Sequence, residues 1–251
     1  MSTRSLKMSR RFSDIAEGKG GNTKMMITEL RKRRGRLVLL VLDGETAMTV
    51  DARTFEESPY RVGSSLSDEE LKALLEESAR RRARERAVYL LSRSDHSRRG
   101  LEEKLRRDAD AAVAAETAAR MEELGYVDDE RYAYRLAEEL TGRKLYPRRR
   151  AVQELCSRGV ARELAAQAVE ATEKDDLEKA LELLAKKQYN RLHDENGRRK
   201  AAASLARFGF DGGTVRRALS IWDEGEEDAA GADWGSDALL DGAAYPENDG
   251  L

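Results

Sequence analysis

Arginine is the side chain whose placement in this sequence could do chemistry. Written in rows offset by fifty residues, three segments coincide: Arg98-Arg99-Gly100-Leu101-Glu102-Glu103-Lys104-Leu105, Arg148-Arg149-Arg150-Ala151-Val152-Gln153-Glu154-Leu155, and Arg198-Arg199-Lys200-Ala201-Ala202-Ala203-Ser204-Leu205. Gly159 and Gly209 then occupy the same place in the second and third rows, where the first has Ala109. The chemistry such clusters offer is anion recognition, because guanidinium is a weakly hydrated fork of donors matched to carboxylate and phosphate. The candidate partner-binding residues are therefore Arg98, Arg99, Arg148, Arg149, Arg150, Arg198 and Arg199, with Arg93 beside them. A solvated charged face, ion-paired between repeats, is the competing reading of the same residues.

Groups for catalysis are scarce. Gly18-Lys19-Gly20-Gly21 has neither the spacing nor the preceding strand of a phosphate-binding loop. His96 and His193 stand far apart in polar surroundings, and Cys156 is the single cysteine, so neither a zinc site nor a disulfide framework is expected. Asp128-Asp129-Glu130 reads as the start of a helix, where acids suit the dipole, before it reads as a metal site. No catalytic residue, cofactor or metal is assigned, and the chain is not expected to be an enzyme. Tyr89, Tyr126, Tyr132, Tyr134, Phe208 and Phe210 fall at helix ends or on apolar stripes and are expected in cores, not in a base-stacking platform.

Something must hold the arginine clusters at equal intervals. Of 251 residues 37% are charged and only 3 are proline, against about 25% charged in average globular proteins. This favours a mainly α protein. The longest apolar run, Leu37–Leu42, is far shorter than a membrane span of about 20 residues. The net charge of −2 conceals segregation: net +8 over residues 1–36, −5 over 37–69, +5 over 70–222 and −10 over 223–251.

The chain divides into a disordered basic arm (1–22), a small β region (23–66), a connecting helix (67–92), three repeats (80–125, 126–174 and 175–222) and an acidic disordered tail (223–251). Strands are expected over Met26–Lys32, Arg36–Leu42 and Glu45–Val50, with Asp43-Gly44 as the hairpin signal. Ser67 to Glu70 is a capping box. Each repeat reads as three helices, roughly 80–92, 98 onward and 114–124, then 128–141, 148 onward and 161–172, then 175–189, 198 onward and 212–222. Glycine in a left-handed C-cap ends the central helix of the second and third repeats, and Asp211 N-caps the last helix. Pairs Arg98–Glu102, Arg99–Glu103 and Arg150–Glu154 are expected at i,i+4. Short units of this kind bury their surface by stacking, so the fold class expected is three tandem three-helix repeats in an elongated curved array behind a small N-terminal β-hairpin or meander.

Ala87-x-x-Leu90-Leu91-Ser92-Arg93-Ser94, Leu101-Glu102-x-Lys104-Leu105 and Leu124-Gly125-Tyr126-Val127-Asp128-Asp129-Glu130-Arg131-Tyr132-Ala133, in this order, resemble the RecX family of recombinase regulators. Glu154-Leu155-x-x-Arg158-Gly159-Val160 and Phe208-Gly209-Phe210 match its second and third repeats, and Arg34-Gly35-Arg36 through Leu42-Asp43-Gly44-Glu45 resembles the β extension of longer members. The resemblance spans roughly 25–222. Asp108-Ala109-Asp110 departs from it, replacing a basic-glycine pair, and the arm and tail lie outside it.

The resemblance implies a cytoplasmic, non-enzymatic, monomeric modulator of RecA in homologous recombination, DNA repair and the SOS response. Such a protein binds RecA or the RecA–single-stranded DNA filament, with weak DNA contact and no membrane association, and inhibits recombinase, ATPase and co-protease activities. Two other readings stay open: a helical-repeat protein that binds single-stranded DNA directly, and an adaptor for an unrelated protein.

Overall fold

The computed structural model describes residues 24–187 and 195–231. These form a four-stranded antiparallel sheet and ten α-helices among the described residues. They divide into two compact units. One contains residues up to Glu139 together with Val152–Ala171, the other Leu140–Ala151 together with residues from Thr172 onward.

The first unit opens with β1 (Met25–Lys32), β2 (Leu37–Leu42) and β3 (Thr46–Asp51), close to the expected bounds. The turn at Asp43-Gly44 is closed by Glu45 N–H donating to the Leu42 carbonyl at 3.1 Å. Asp43 Oδ1 also accepts from Met26 N–H at 2.9 Å, which ties the turn to β1. Two short elements complete this region. The helix α1 (Ala52–Glu57) starts where buried Asp51 accepts from Thr54 N–H at 2.9 Å, and β4 (Ser65–Leu66) pairs with Met25 and Met26, giving the order β3-β2-β1-β4.

A small sheet needs cover on its apolar face, and α2 (Asp68–Arg93) supplies it. Its capping box is formed: Glu70 N–H donates to Ser67 Oγ at 3.2 Å, and Ser67 N–H donates to Glu70 Oε2 at 2.8 Å. Leu71 and Leu74 pack with Ile27, Leu40, Leu42 and Val50 in one core, where each buried leucine contributes about 1.5–3 kcal/mol relative to exposure. The connecting helix read over 67–92 runs without a break into the first repeat, as one 26-residue helix. Its second half carries Ala87 into another core with Leu101, Leu105, Ala114, Ala118 and Met121.

That second core belongs to α3 (Arg98–Leu105) and α4 (Ala111–Glu123). Without a glycine at Ala109, the chain leaves α3 through N–H groups of Asp108 and Ala109 that both donate to the Leu105 carbonyl at 3.0 Å. The second repeat follows as α5 (Asp129–Glu138), a π-helical turn at Glu139–Arg143, α6 (Arg148–Ser157) and α7 (Arg162–Glu170). The division between the units falls inside α6, after Ala151.

The third repeat comprises α8 (Asp176–Lys186), α9 (Glu195–Phe208) and α10 (Gly212–Gly231). Leu184, Leu205, Phe210 and Ala218 meet Leu145 in its core. Asp211 caps α10 as expected, accepting from Gly213 and Thr214 N–H at 2.8 and 3.0 Å. Three boundaries differ from the sequence reading. The helix α8 stops at Lys186, α9 begins at Glu195 ahead of its arginine pair, and α10 continues through Asp223 to Gly231, into the segment read as an acidic tail. Ala and Glu in that stretch favour helix intrinsically, although it has no apolar stripe. The basic arm 1–22 and residues 232–251 lie outside the described residues. No helix among the described residues is long and apolar enough to cross a membrane.

Candidate functional site

Arginine at a helix N-terminus opposes the helix dipole by a few tenths of a kcal/mol. The fold answers with carboxylates from the following repeat. Asp129, the first residue of α5, accepts from the Arg98 backbone N–H at 2.7 Å. Asp176, the first residue of α8, accepts from the Arg148 N–H at 2.9 Å. In the third repeat the acid meets the side chain, Asp223 pairing with the Arg198 guanidinium at 2.7 Å. Asp128 caps its own helix through Arg131 N–H at 2.9 Å, so the Asp128-Asp129-Glu130 run serves two helix starts. Among the described residues no group of three or more His, Cys, Asp or Glu is placed to hold a metal ion.

Central helices also meet end to side. Gly159, beyond the end of α6, sits at φ +89°, and a Cβ there would lie 2.7 Å from the Gly100 nitrogen near the start of α3. A Cβ on Gly100 would in turn stand 2.8 Å from the Arg158 carbonyl oxygen, which accepts from Ser97 Oγ at 2.5 Å. The corresponding joint in the second unit uses different chemistry. Arg150 Nη1 donates to the Phe208 carbonyl at 2.9 Å, and its guanidinium lies over Tyr146 (4.0 Å) and Phe208 (5.3 Å). A hydroxyl in one joint and a stacked guanidinium in the other each cap the last carbonyls of a neighbouring helix.

The arginines singled out in the sequence therefore occupy three situations. Arg93, Arg98, Arg99, Arg149, Arg198 and Arg199 are exposed, Arg148 is half-buried, and Arg150 is half-buried within the joint just described. Of the expected i,i+4 pairs, Arg99–Glu103 forms at 3.5 Å. Arg98 instead reaches Glu122 on α4 at 3.6 Å, while Glu102 takes Arg106 at 2.6 Å and Glu154 takes Arg158 at 2.8 Å. In each exchange the acid pairs with a basic residue four positions C-terminal to it, the better orientation on a helix. The aromatic expectation also needs correction. Phe210 is buried, but Tyr126, Tyr89 and Tyr134 are 62%, 52% and 37% exposed, because no element among the described residues packs over those faces.

A second grouping escaped the sequence reading. In the first unit a cleft of about 740 Å³ is lined by Arg93, Lys104, Arg107, Arg135, Arg158 and His96. They come from the end of α2, from α3 and the turn after it, from α5, from the end of α6 and from the α2–α3 connection. Asp95, Glu103 and Glu139 are the carboxylates of its wall. Burial, reinforced by Lys104, pushes the His96 imidazole below its ordinary value, with Asp95 acting in the opposite direction. Of this set Lys104 stands in the first of the three aligned rows and Arg93 lies just ahead of it. The others are non-adjacent in sequence, and their one local signal is the basic run Lys104-Leu105-Arg106-Arg107.

Comparison with known proteins places these features in a family. The family model for the second three-helix domain of RecX matches residues 128–169, the stretch that holds α5, α6 and α7. Regulatory protein RecX of Caldanaerobacter subterraneus subsp. tengcongensis is 29% identical over 199 residues, covering 78% of this chain and all of that protein. Regulatory protein RecX of Stenotrophomonas maltophilia (strain R551-3) is 36% identical over 137 residues, covering 53% of this chain and 83% of that protein. The chain belongs to the RecX family. The crystal structure of RecX from Lactobacillus salivarius shares the fold with a TM-score of 0.50 at 22% identity, over 58% of this chain and 97% of that one. A crystal structure of a regulatory protein RecX does so with a TM-score of 0.52 at 18% identity, over 78% and 99%. The matched domain is a three-helix one, and in this chain its helices are α5, α6 and α7.

Proposed function

We propose that this chain is a RecX-type regulator of RecA that acts by occupying the RecA–single-stranded DNA filament and inhibiting its recombinase, ATPase and co-protease activities. The observation that carries the reading is family membership: the relatives matched over most of their length bear the name regulatory protein RecX. The repeated exposure of Arg98 and Arg99, Arg149, and Arg198 and Arg199 at the starts of central helices supports it. These cations suit an acidic protomer surface, and several contacts along one filament add through effective concentration. A ligand of this kind shifts filament assembly to the extent that it binds one filament state better than another. Its place is the cytoplasm, with RecA, in DNA repair and the SOS response, and it needs neither cofactor nor catalytic group.

The deciding measurement is ATP hydrolysis by RecA on single-stranded DNA while the chain is titrated below one molecule per protomer. Inhibition at sub-stoichiometric ratios supports the reading, and no effect up to excess overturns it. Replacement of Arg99, Arg149 and Arg199 by Ala should weaken inhibition without loss of helicity. Arg150 is left out of that variant because it also holds the joint with Phe208.

A further inference from the structure

The three central helices differ in where their carboxylates come from. Behind its arginine pair α3 carries Glu102 and Glu103, and α6 carries Glu154; the aligned positions in α9 are Ala202, Ala203 and Ser204. Past Glu195, α9 has no acid at all. Arg199, Lys200 and Arg207 are exposed on it and make no ion pair among the described residues, and the exposed residues between them are Ala203 and Ala206. Arg199, Ala203 and Arg207 are spaced by four and so lie along one stripe of the helix. The acid that meets this arginine pair comes from the next helix, where Asp223 of α10 holds Arg198 at 2.7 Å. Asp223 is also the first residue of a stretch, 223–251, that contains no lysine or arginine.

We propose that residues 232–251 of this chain dock on the outer face of α9 and withhold Arg199, Lys200 and Arg207 from an acidic partner. Charge selects this occupant: Asp233, Asp237, Asp241, Glu247 and Asp249 bring carboxylates with no cation among them to a helix face with cations and no carboxylate. The chain path permits it. Asp223 stands beside the first turn of α9, and α10 runs on to Gly231. The way back from Gly231 to Arg207 is about 26 Å along the two helix axes at 1.5 Å per residue, whereas twenty residues extend to about 66 Å. Exposed ion pairs are individually weak, but a short tether holds the segment at an effective concentration on the order of millimolar. The contact therefore forms within one molecule and gives way to a partner that presents several aligned carboxylates. Arg198 and Arg199 belong to the row that the regulatory reading gives to RecA, so the resulting brake on inhibition rests on that reading, whereas the docking itself does not.

The docking is read on the full chain without RecA. Incorporated fluorotryptophan gives Trp222 and Trp234 separate fluorine resonances, which the W234F variant assigns. Expected at low salt is a Trp234 resonance displaced from its position in urea. It should return to that position in about 1 M salt, where the Debye length falls to about 3 Å. It should also return in R199A/K200A/R207A, but not in K72A/R82A/R131A, which removes the same charge from the first unit. The brake is read in the RecA ATPase titration. A chain ending at Gly231 should inhibit at a roughly threefold or more lower concentration than the full chain, and the same truncation in R199A/K200A/R207A should add nothing. A Trp234 resonance at its urea position in low salt, or equal release by both triple variants, overturns the docking. Equal inhibition by the full and truncated chains overturns the brake. Absence of any inhibition by either chain removes the regulatory reading instead, and the fluorine signal still decides the docking.

Discussion

Asp176 Oδ1 joins two donors, the Arg148 backbone N–H at 2.9 Å and the Nζ of Lys179 at 3.2 Å. The lysine is 0% exposed. One carboxylate thus caps the central helix of the second repeat and neutralises a buried ammonium at the start of the third. Removing one partner of a buried pair leaves an uncompensated charge and costs about 3–5 kcal/mol. Asp176→Asn should therefore lower the urea midpoint of the second unit steeply, and adding Lys179→Met should restore much of it. Equal midpoints for Asp176→Asn and the wild type would show that the pair carries no stability.

The contact between Gly100 and Gly159 makes a separate prediction. Alanine at position 159 meets both a positive φ and a backbone nitrogen 2.7 Å away, and the left-handed conformation alone costs an L-residue about 1–2 kcal/mol. Gly159→Ala should lower the thermal midpoint of the first unit by several degrees. A Cβ on Gly142 meets nothing within 4 Å, so Gly142→Ala should stay within about 0.5 kcal/mol of the parent.

Arg150 and Arg149 are neighbours with different work. Arg150→Lys loses the planar fork that caps the Phe208 carbonyl while stacking on Tyr146, and a charge-assisted hydrogen bond of this type is worth about 1.5–3 kcal/mol. Arg149→Ala should leave stability unchanged within about 0.5 kcal/mol while weakening inhibition of RecA. Chemical denaturation beside the ATPase assay separates the two effects.

For His96 the sign of the pH dependence follows from burial. Its folded-state value lies below the unfolded one, chiefly through burial and then through Lys104. As pH falls through about 6.5 the unfolded chain binds the proton first. The stability contribution present above that pH is lost progressively until folded His96 also protonates. An NMR titration should place the His96 midpoint below that of a free imidazole, and Lys104→Ala should raise it part of the way. An unchanged midpoint in Lys104→Ala would remove the lysine from the account.

Much of this architecture is legible along the chain where the signal is local. Ser67 and Glu70 form a capping box within four residues, Asp43-Gly44 marks its own turn, and the arginine pairs recur because each lies in the first turns of a central helix. What escaped depends on tertiary distance. The caps from Asp129 and Asp176 act on helices 31 and 28 residues away, and no periodicity announces them. The helix α1 is six residues long, too short to show a stripe. Tyr89 lies on a helical face and Tyr126 in the turn after α4, and an aromatic at either place is buried only when another element covers it. The cleft draws on α2, α3, α5 and α6, so its cations converge only after the second repeat has folded onto the first.

Tryptophan is distributed unevenly. Trp222 packs against the core of the second unit, the one other tryptophan is Trp234, and residues 24–171 contain none. Indole emission is consequently a native optical probe of one unit, while tyrosine, present in both, supplies the signal of the first. In a Trp234→Phe background, following the two signals in one melt would show whether the halves lose their structure together or in sequence, with no label attached to either.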